Sequence, residues 1–260
     1  MISIKNSKIT AIIAARMGSS RFSGKTLANL SGKPMIERMI ERIRFSNLID
    51  EVVIATTDLP QDDELESWAT KMKLGCFRGF SEDVLGRLKI AADKYSAEII
   101  VEMLGDNPLV HSSLINKALL EYNKGDVDYV ATVTNEYPKA SKKLKRFPVG
   151  IRVQIFSHKT LELCEKLSKK REHREHATSF IAENPDIFKT RFVEAKDEFS
   201  LLNRPELTFA VNQVENLELI RKLFDTCYKI DNNFKVEQAI QFYDSDKNLR
   251  KLMFPERKPE

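Results

Sequence analysis

Long apolar runs are missing from this 260-residue chain: no stretch approaches the roughly 20 apolar residues that cross a bilayer. No membrane partner is expected. Cysteine is sparse and unpatterned. Cys76, Cys164 and Cys227 are odd in number and far apart, with no C-x-x-C, which fits a reduced compartment and inert buried thiols. The net charge of +4 is too small for a nucleic-acid-binding surface, which clusters cations far more heavily. Glycine and proline are few, at nine each, while charged residues abound, as in a globular protein. The first eight residues lead straight into an apolar run, so no signal peptide and a cytoplasmic location are the expectation. No repeat and no low-complexity segment occurs.

What is present is alternation. Apolar, β-branched runs at 8–15, 51–57, 98–104 and 127–133 read as buried strands. Between them, helical spacing follows Pro34, read as a first helical position, and recurs over 62–73, 82–95 and 112–123. Asp83 reads as a helix cap, and so does Ser112 or Ser113. The second half is less regular. Strands are expected over 150–156, 188–194 and 207–212. Helices are expected over 159–167, 173–183, 214–225 and 235–243, before a polar tail at 247–260. Buried strands alternating with helices predict an α/β fold, a mostly parallel sheet with helices on both faces. One large core suits this length, so a single domain is expected.

Chemistry concentrates in residues 14–25, Ala-Ala-Arg-Met-Gly-Ser-Ser-Arg-Phe-Ser-Gly-Lys, directly after the first strand. Small residues there let backbone N–H groups approach phosphate oxygens, and the cations offset their charge. A second turn, Gly105-Asp106-Asn107-Pro108, follows the third strand. Alone, the first loop is more often an ordinary connection and the aspartate a turn former. Both follow strand ends, however, where open α/β sheets bind ligands, so they can share one crevice. A basic loop over 135–147 carries Lys139, Lys142, Lys143, Lys145 and Arg146. His173 and His176 have a spacing that a metal could use, but no further ligand set accompanies them, and helix packing is the simpler reading.

The stretch AARMGSSRFSGKTL resembles the opening signature of the cytidylyltransferases that make CMP-activated sugars, the acylneuraminate and 3-deoxy-manno-octulosonate type, and especially their spore-coat-polysaccharide branch. FRGFSEDVLGRL (77–88), EMLGDNPLV (102–110), FPVGIRVQIF (147–156), REHATSFIAENPDIFK (174–189) and RPELTFAVNQVENLELIRKLF (204–224) are similar to that branch's later landmarks, in order. The resemblance implies a three-layer Rossmann-like nucleotide-diphospho-sugar transferase fold. It also implies attack of an acceptor oxygen on the α-phosphate of CTP, with pyrophosphate released. Carried across by residue, Ala14, Ala15, Arg16, Gly18, Ser19, Ser20, Arg21, Lys25, Arg87 and Gly105 would meet the nucleotide. Arg16, Lys25 and Asp106 would be catalytic, with Asp106 and position 212 holding Mg²⁺. Arg152, Gln154, Arg174, Glu175 and His176 would lie near the acceptor. The nucleotide half would span about 1–134, and an acceptor and dimer half about 135–246. A homodimer is expected by analogy.

The sequence departs from that pattern at three places. Ser23 stands where the signature has proline, relaxing one φ restraint. Asn212 replaces a second metal carboxylate with a neutral oxygen. In Pro148-Val149-Gly150-Ile151-Arg152-Val153-Gln154-Ile155-Phe156, three acidic positions of relatives have become Val149, Arg152 and Gln154. As a strand, this segment would put Arg152 and Gln154 on one face, now basic and neutral. A small anionic acceptor (phosphate, phosphonate or carboxylate) is therefore expected rather than a neutral polyol. Two alternatives stay open: another nucleoside triphosphate on the same fold, or a catalytically weakened nucleotide-binding partner subunit.

Overall fold

A computed structural model describes residues 6–19, 21–137 and 140–254. A seven-stranded sheet organises them. The strands are β1 (Ile9–Ala14), β4 (Glu51–Thr57), β5 (Gly75–Gly79), β6 (Ile99–Leu104), β7 (Tyr129–Thr132), β8 (Gln154–Ser157) and β9 (Thr190–Val193). Their spatial order is β5-β4-β1-β6-β8-β7-β9. All neighbours run parallel except β8, which is antiparallel to both β6 and β7. Alternate residues of each strand feed opposite cores. Ile9, Ala11 and Ile13 of β1 pack into one cluster, and Ile12 into the other. The first cluster lies under α1 (Met35–Arg44), α4 (Ser112–Asn123), α8 (Val214–Cys227) and α9 (Val236–Ser245). The second lies under α3 (Val84–Lys94), α5 (His158–Leu167) and α7 (Ser179–Glu183). The predicted α/β architecture is the observed one, and α2 (Asp63–Lys71) completes the covering beside β4 and β5.

The first half follows the expected alternation within two residues at each boundary. Asp83 caps α3 by accepting from the Gly86 N–H at 2.9 Å. The cap of α4 is His111 rather than a serine: its Nδ1 accepts from the Ser113 N–H at 3.1 Å. Between β1 and α1 lie a 3₁₀ turn (Lys25–Leu27) and a short hairpin, β2 (Asn29–Leu30) and β3 (Lys33–Pro34). Pro34 ends that hairpin and precedes α1 instead of opening it.

The second half departs further. The 150–156 strand begins only at Gln154, because Gly150 takes a left-handed φ of 90°. Residues 207–212 form no strand. Their backbone makes an isolated parallel bridge to Val149, with Phe209 N donating to Val149 O at 2.7 Å, and a single bond to the 105–108 turn, with Val211 N donating to Asp106 O at 2.8 Å. The helix expected over 173–183 splits into α6 (Arg171–Glu175) and α7, since Ala177 and Thr178 dive into the core between them. The tail carries α10 (Leu249–Met253), which buries Leu249 and Met253 against α8; Asn216 Nδ2 donates to Leu252 O at 3.2 Å.

Candidate active site

The carboxyl ends of β1 and β6 open into a cavity of about 540 Å³. Gly105 is required where these ends meet: its N–H donates to Ala14 O at 2.9 Å, and a Cβ there would stand 2.7 Å from the Ala15 Cβ. The loop beyond β1 is tied into a closed shape. Gly24, at a left-handed φ of 76°, donates its N–H to Met17 O at 2.8 Å, and Thr26 Oγ1 donates to Arg16 O at 2.7 Å. Asp62, fully buried, accepts from Met17 N at 2.6 Å, from Thr57 N at 3.1 Å and from the Thr57 hydroxyl. That acid clamps the loop to the end of β4. Nothing in its acidic, proline-flanked surroundings marked it in advance.

Ala14, Ala15, Arg16, Gly18, Ser19, Arg21 and Lys25 all border this cavity. Ser20 lies outside the described residues. Lys25 Nζ donates to Asp106 Oδ2 at 3.1 Å and to Val211 O at 2.7 Å, so the cation is aimed before any ligand arrives. Arg21 Nη2 donates to Asn212 Oδ1 at 3.4 Å. Arg87, largely buried, lines the wall and holds the 80–81 loop through two carbonyls, at 3.0 and 3.3 Å. Its Nε has no hydrogen-bond partner among the described residues. Burial, and then the neighbouring Arg16, lower its pKa. At the mouth, Arg171 Nη2 pairs with Glu82 Oε2 at 2.6 Å, a contact the sequence did not suggest.

Asp106 and Asn212 border the cavity together. Among the described residues no group of three or more His, Cys, Asp or Glu converges on a metal position. One carboxylate and one amide oxygen fit a hard cation that keeps its waters and takes phosphate oxygens, as Mg²⁺ does. They do not make an all-protein cage.

A second cavity, of about 690 Å³, adjoins the first through His176, which borders both. Arg152 lines it, along with Glu136, Tyr137 and Thr178. The guanidinium lies over the Tyr137 ring, 5.2 Å from its centroid, with Nη1 3.5 Å from Glu136 Oε1. Of the remaining acceptor-side candidates, Glu175 borders the first cavity. Gln154 does not line either: it is fully buried beneath Arg152. Arg174 is also outside both linings, spent on Asp83 and, at 2.7 Å, on Glu165, ion pairs that tie α6 to α3 and α5. His173 is a packing residue, edge-on to Phe180 and 3.3 Å from Glu183. Leu144 connects the basic loop to the second cavity, while Lys142, Lys143 and Lys145 face a separate open groove; Lys139 lies outside the described residues.

A family model described as cytidylyltransferase matches residues 10–250. An uncharacterized protein of Methanocaldococcus jannaschii is 30% identical over 248 residues, 94% of each chain. The spore coat polysaccharide biosynthesis protein SpsF of Bacillus subtilis is 28% identical over 83% of this chain and 86% of its own. A solved cytidylyltransferase structure from Leptospira borgpetersenii superposes with a TM-score of 0.80 at 24% identity, covering 98% of this chain and 100% of that one.

Proposed function

From the premise that this chain belongs to the cytidylyltransferase family of nucleotidyltransferases, we propose that it transfers CMP from CTP to a small anionic acceptor and releases pyrophosphate. The observation that carries this reading is Lys25, fixed between Asp106 and Val211 O on the wall that Arg16 and Arg21 share. A triphosphate laid along that wall meets three cations and the backbone of Gly18 and Ser19. Reaction forms a bond between an acceptor oxygen and the α-phosphorus and breaks the α–β bridging P–O bond. Negative charge grows on the departing pyrophosphate, where Lys25 and Arg16 stabilise it. Mg²⁺, held by Asp106 and Asn212, would supply further charge neutralisation on the phosphates.

The acceptor belongs in the second cavity. Arg152 on its wall supports an acid group there, and the shared wall at His176 leaves the two ligands a common boundary. The products suit surface polysaccharide or related glycoconjugate synthesis, and a homodimer is the assembly we propose. Asn212 is the one residue that favours a weakened, nucleotide-binding relative instead. Pyrophosphate release, measured with CTP, GTP, UTP and ATP against sugar acids, sugar phosphates and phosphonates, tests the reading. Turnover restricted to CTP with an anionic acceptor is the expected result. Turnover with another nucleotide, or with neutral polyols only, would overturn it.

A further inference from the structure

Beneath the second cavity the sheet buries a carboxylate that substrate contact does not explain. Glu102 sits within β6, 3% exposed, directly opposite Gln154 in the ladder. An acid in such a place is costly unless it is well partnered. Glu102 Oε2 accepts from Gln154 Nε2 at 2.9 Å. The other end of the same carboxamide gathers donors. Gln154 Oε1 accepts from Arg152 Nη2 at 2.8 Å, Thr178 Oγ1 at 2.6 Å, Tyr137 Oη at 2.7 Å and the Tyr129 hydroxyl. Gln154 is thus a rigid spacer with the buried acid on one side and the cavity-lining arginine on the other.

We propose that Glu102 is a positioning residue for the acceptor: through Gln154 it fixes the orientation of Arg152 and sets how much of the guanidinium charge is left for an anion in the second cavity. This rests on the reading of that cavity as the acceptor site. When Glu102 is ionised, its charge offsets Arg152 across the amide. When it is neutral, the full cationic charge faces the cavity. Burial pushes its carboxyl up to about 7, so both forms are accessible near neutrality. The other groups facing this network are the phenols of Tyr129 and Tyr137 and the Cys164 thiol of α5, all pushed up by burial and so neutral near pH 7. On the cavity wall stand Glu136, Glu172, Glu183 and His176.

Ethanesulfonate keeps its charge across the range and serves as the probe, titrated calorimetrically into the full chain at about pH 6 and about pH 8.5, with CTP binding measured separately. Wild type is expected to bind the sulfonate about tenfold more tightly at the lower pH. Glu102→Gln preserves the shape and an acceptor oxygen for Gln154. It is expected to bind at the higher pH as tightly as wild type does at the lower, with the slope gone. Arg152→Met is expected to lose binding at both, and His176→Gln to keep the slope. CTP affinity stays constant throughout. A wild-type slope in Glu102→Gln, or a slope lost in His176→Gln, overturns the inference while leaving the acceptor site standing. Failure of wild type to bind the sulfonate at either pH, with CTP binding intact, overturns both together.

Discussion

The loop that carries Arg16, Arg21 and Lys25 is held mainly by its own backbone, with the Thr26 hydroxyl and one buried acid, whereas Arg152 is held by side chains gathered from β6, β7, β8 and two loops. The first arrangement is local. Gly24 closes on Met17, Thr26 on Arg16, and the loop meets β6 at a glycine. The second is assembled from residues 102, 129, 137, 154 and 178, and each link is a side-chain hydrogen bond. A site built from local backbone keeps its shape when single side chains change. A site built from a buried polar network changes its electrostatics whenever one member does. On this contrast the proposed phosphate cradle is the more fixed of the two sites and the proposed acceptor pocket the more tunable.

The largest effect that can break this contrast is on Lys25. Lys25→Ala is expected to lower turnover by about 10²- to 10³-fold, read by pyrophosphate release, with the melting temperature little changed because the loop's backbone links remain. A collapse in stability instead would show that the cradle depends on that side chain.

Next comes Glu102, through folding stability. Burial raises its carboxyl from the ordinary 4.5 to about 7. The folded chain then retains a proton that the unfolded chain releases. This group's contribution to stability is present in full below about 4.5 and lost as pH rises through about 7. Glu102→Gln should accordingly stabilise the protein at pH 8 by on the order of 3 kcal/mol, and very little at pH 4. Denaturant melts at the two pH values check it; equal effects at both would show that the carboxyl titrates normally.

A smaller change is expected from Arg152→Ala: an acceptor KM about tenfold higher, with the KM for CTP unmoved. Equal shifts in both constants would merge the two pockets into one. The smallest is Asn212→Asp, expected to reduce the Mg²⁺ concentration for half-maximal rate by a few-fold, since a carboxylate binds that cation better than an amide. An unchanged Mg²⁺ requirement would place position 212 away from the ion.

The same division governs what could be read without a structure. The first half was legible because its strands are apolar runs and its loop residues follow one another in sequence; residues 51–57 and 112–123 match their elements at both ends. The second half resisted. Residues 150–153 alternate like a strand, yet Gly150 bends them away from the sheet, and Gln154, expected beside the acceptor, is the centre of a buried network. The acid within the apolar run 98–104 was the available signal for Glu102. Asp62 left none, because its partners are two backbone N–H groups and one threonine hydroxyl, at residues 17 and 57.

The most direct test of the proposed phosphate cradle is calorimetric titration of CTP with Mg²⁺ into the wild-type chain and into Arg16→Ala and Lys25→Ala. A triphosphate site at the end of β1 predicts one CTP per chain, with affinity falling at least tenfold in either variant. Wild-type affinity in both variants, or no heat with the wild type, would contradict it.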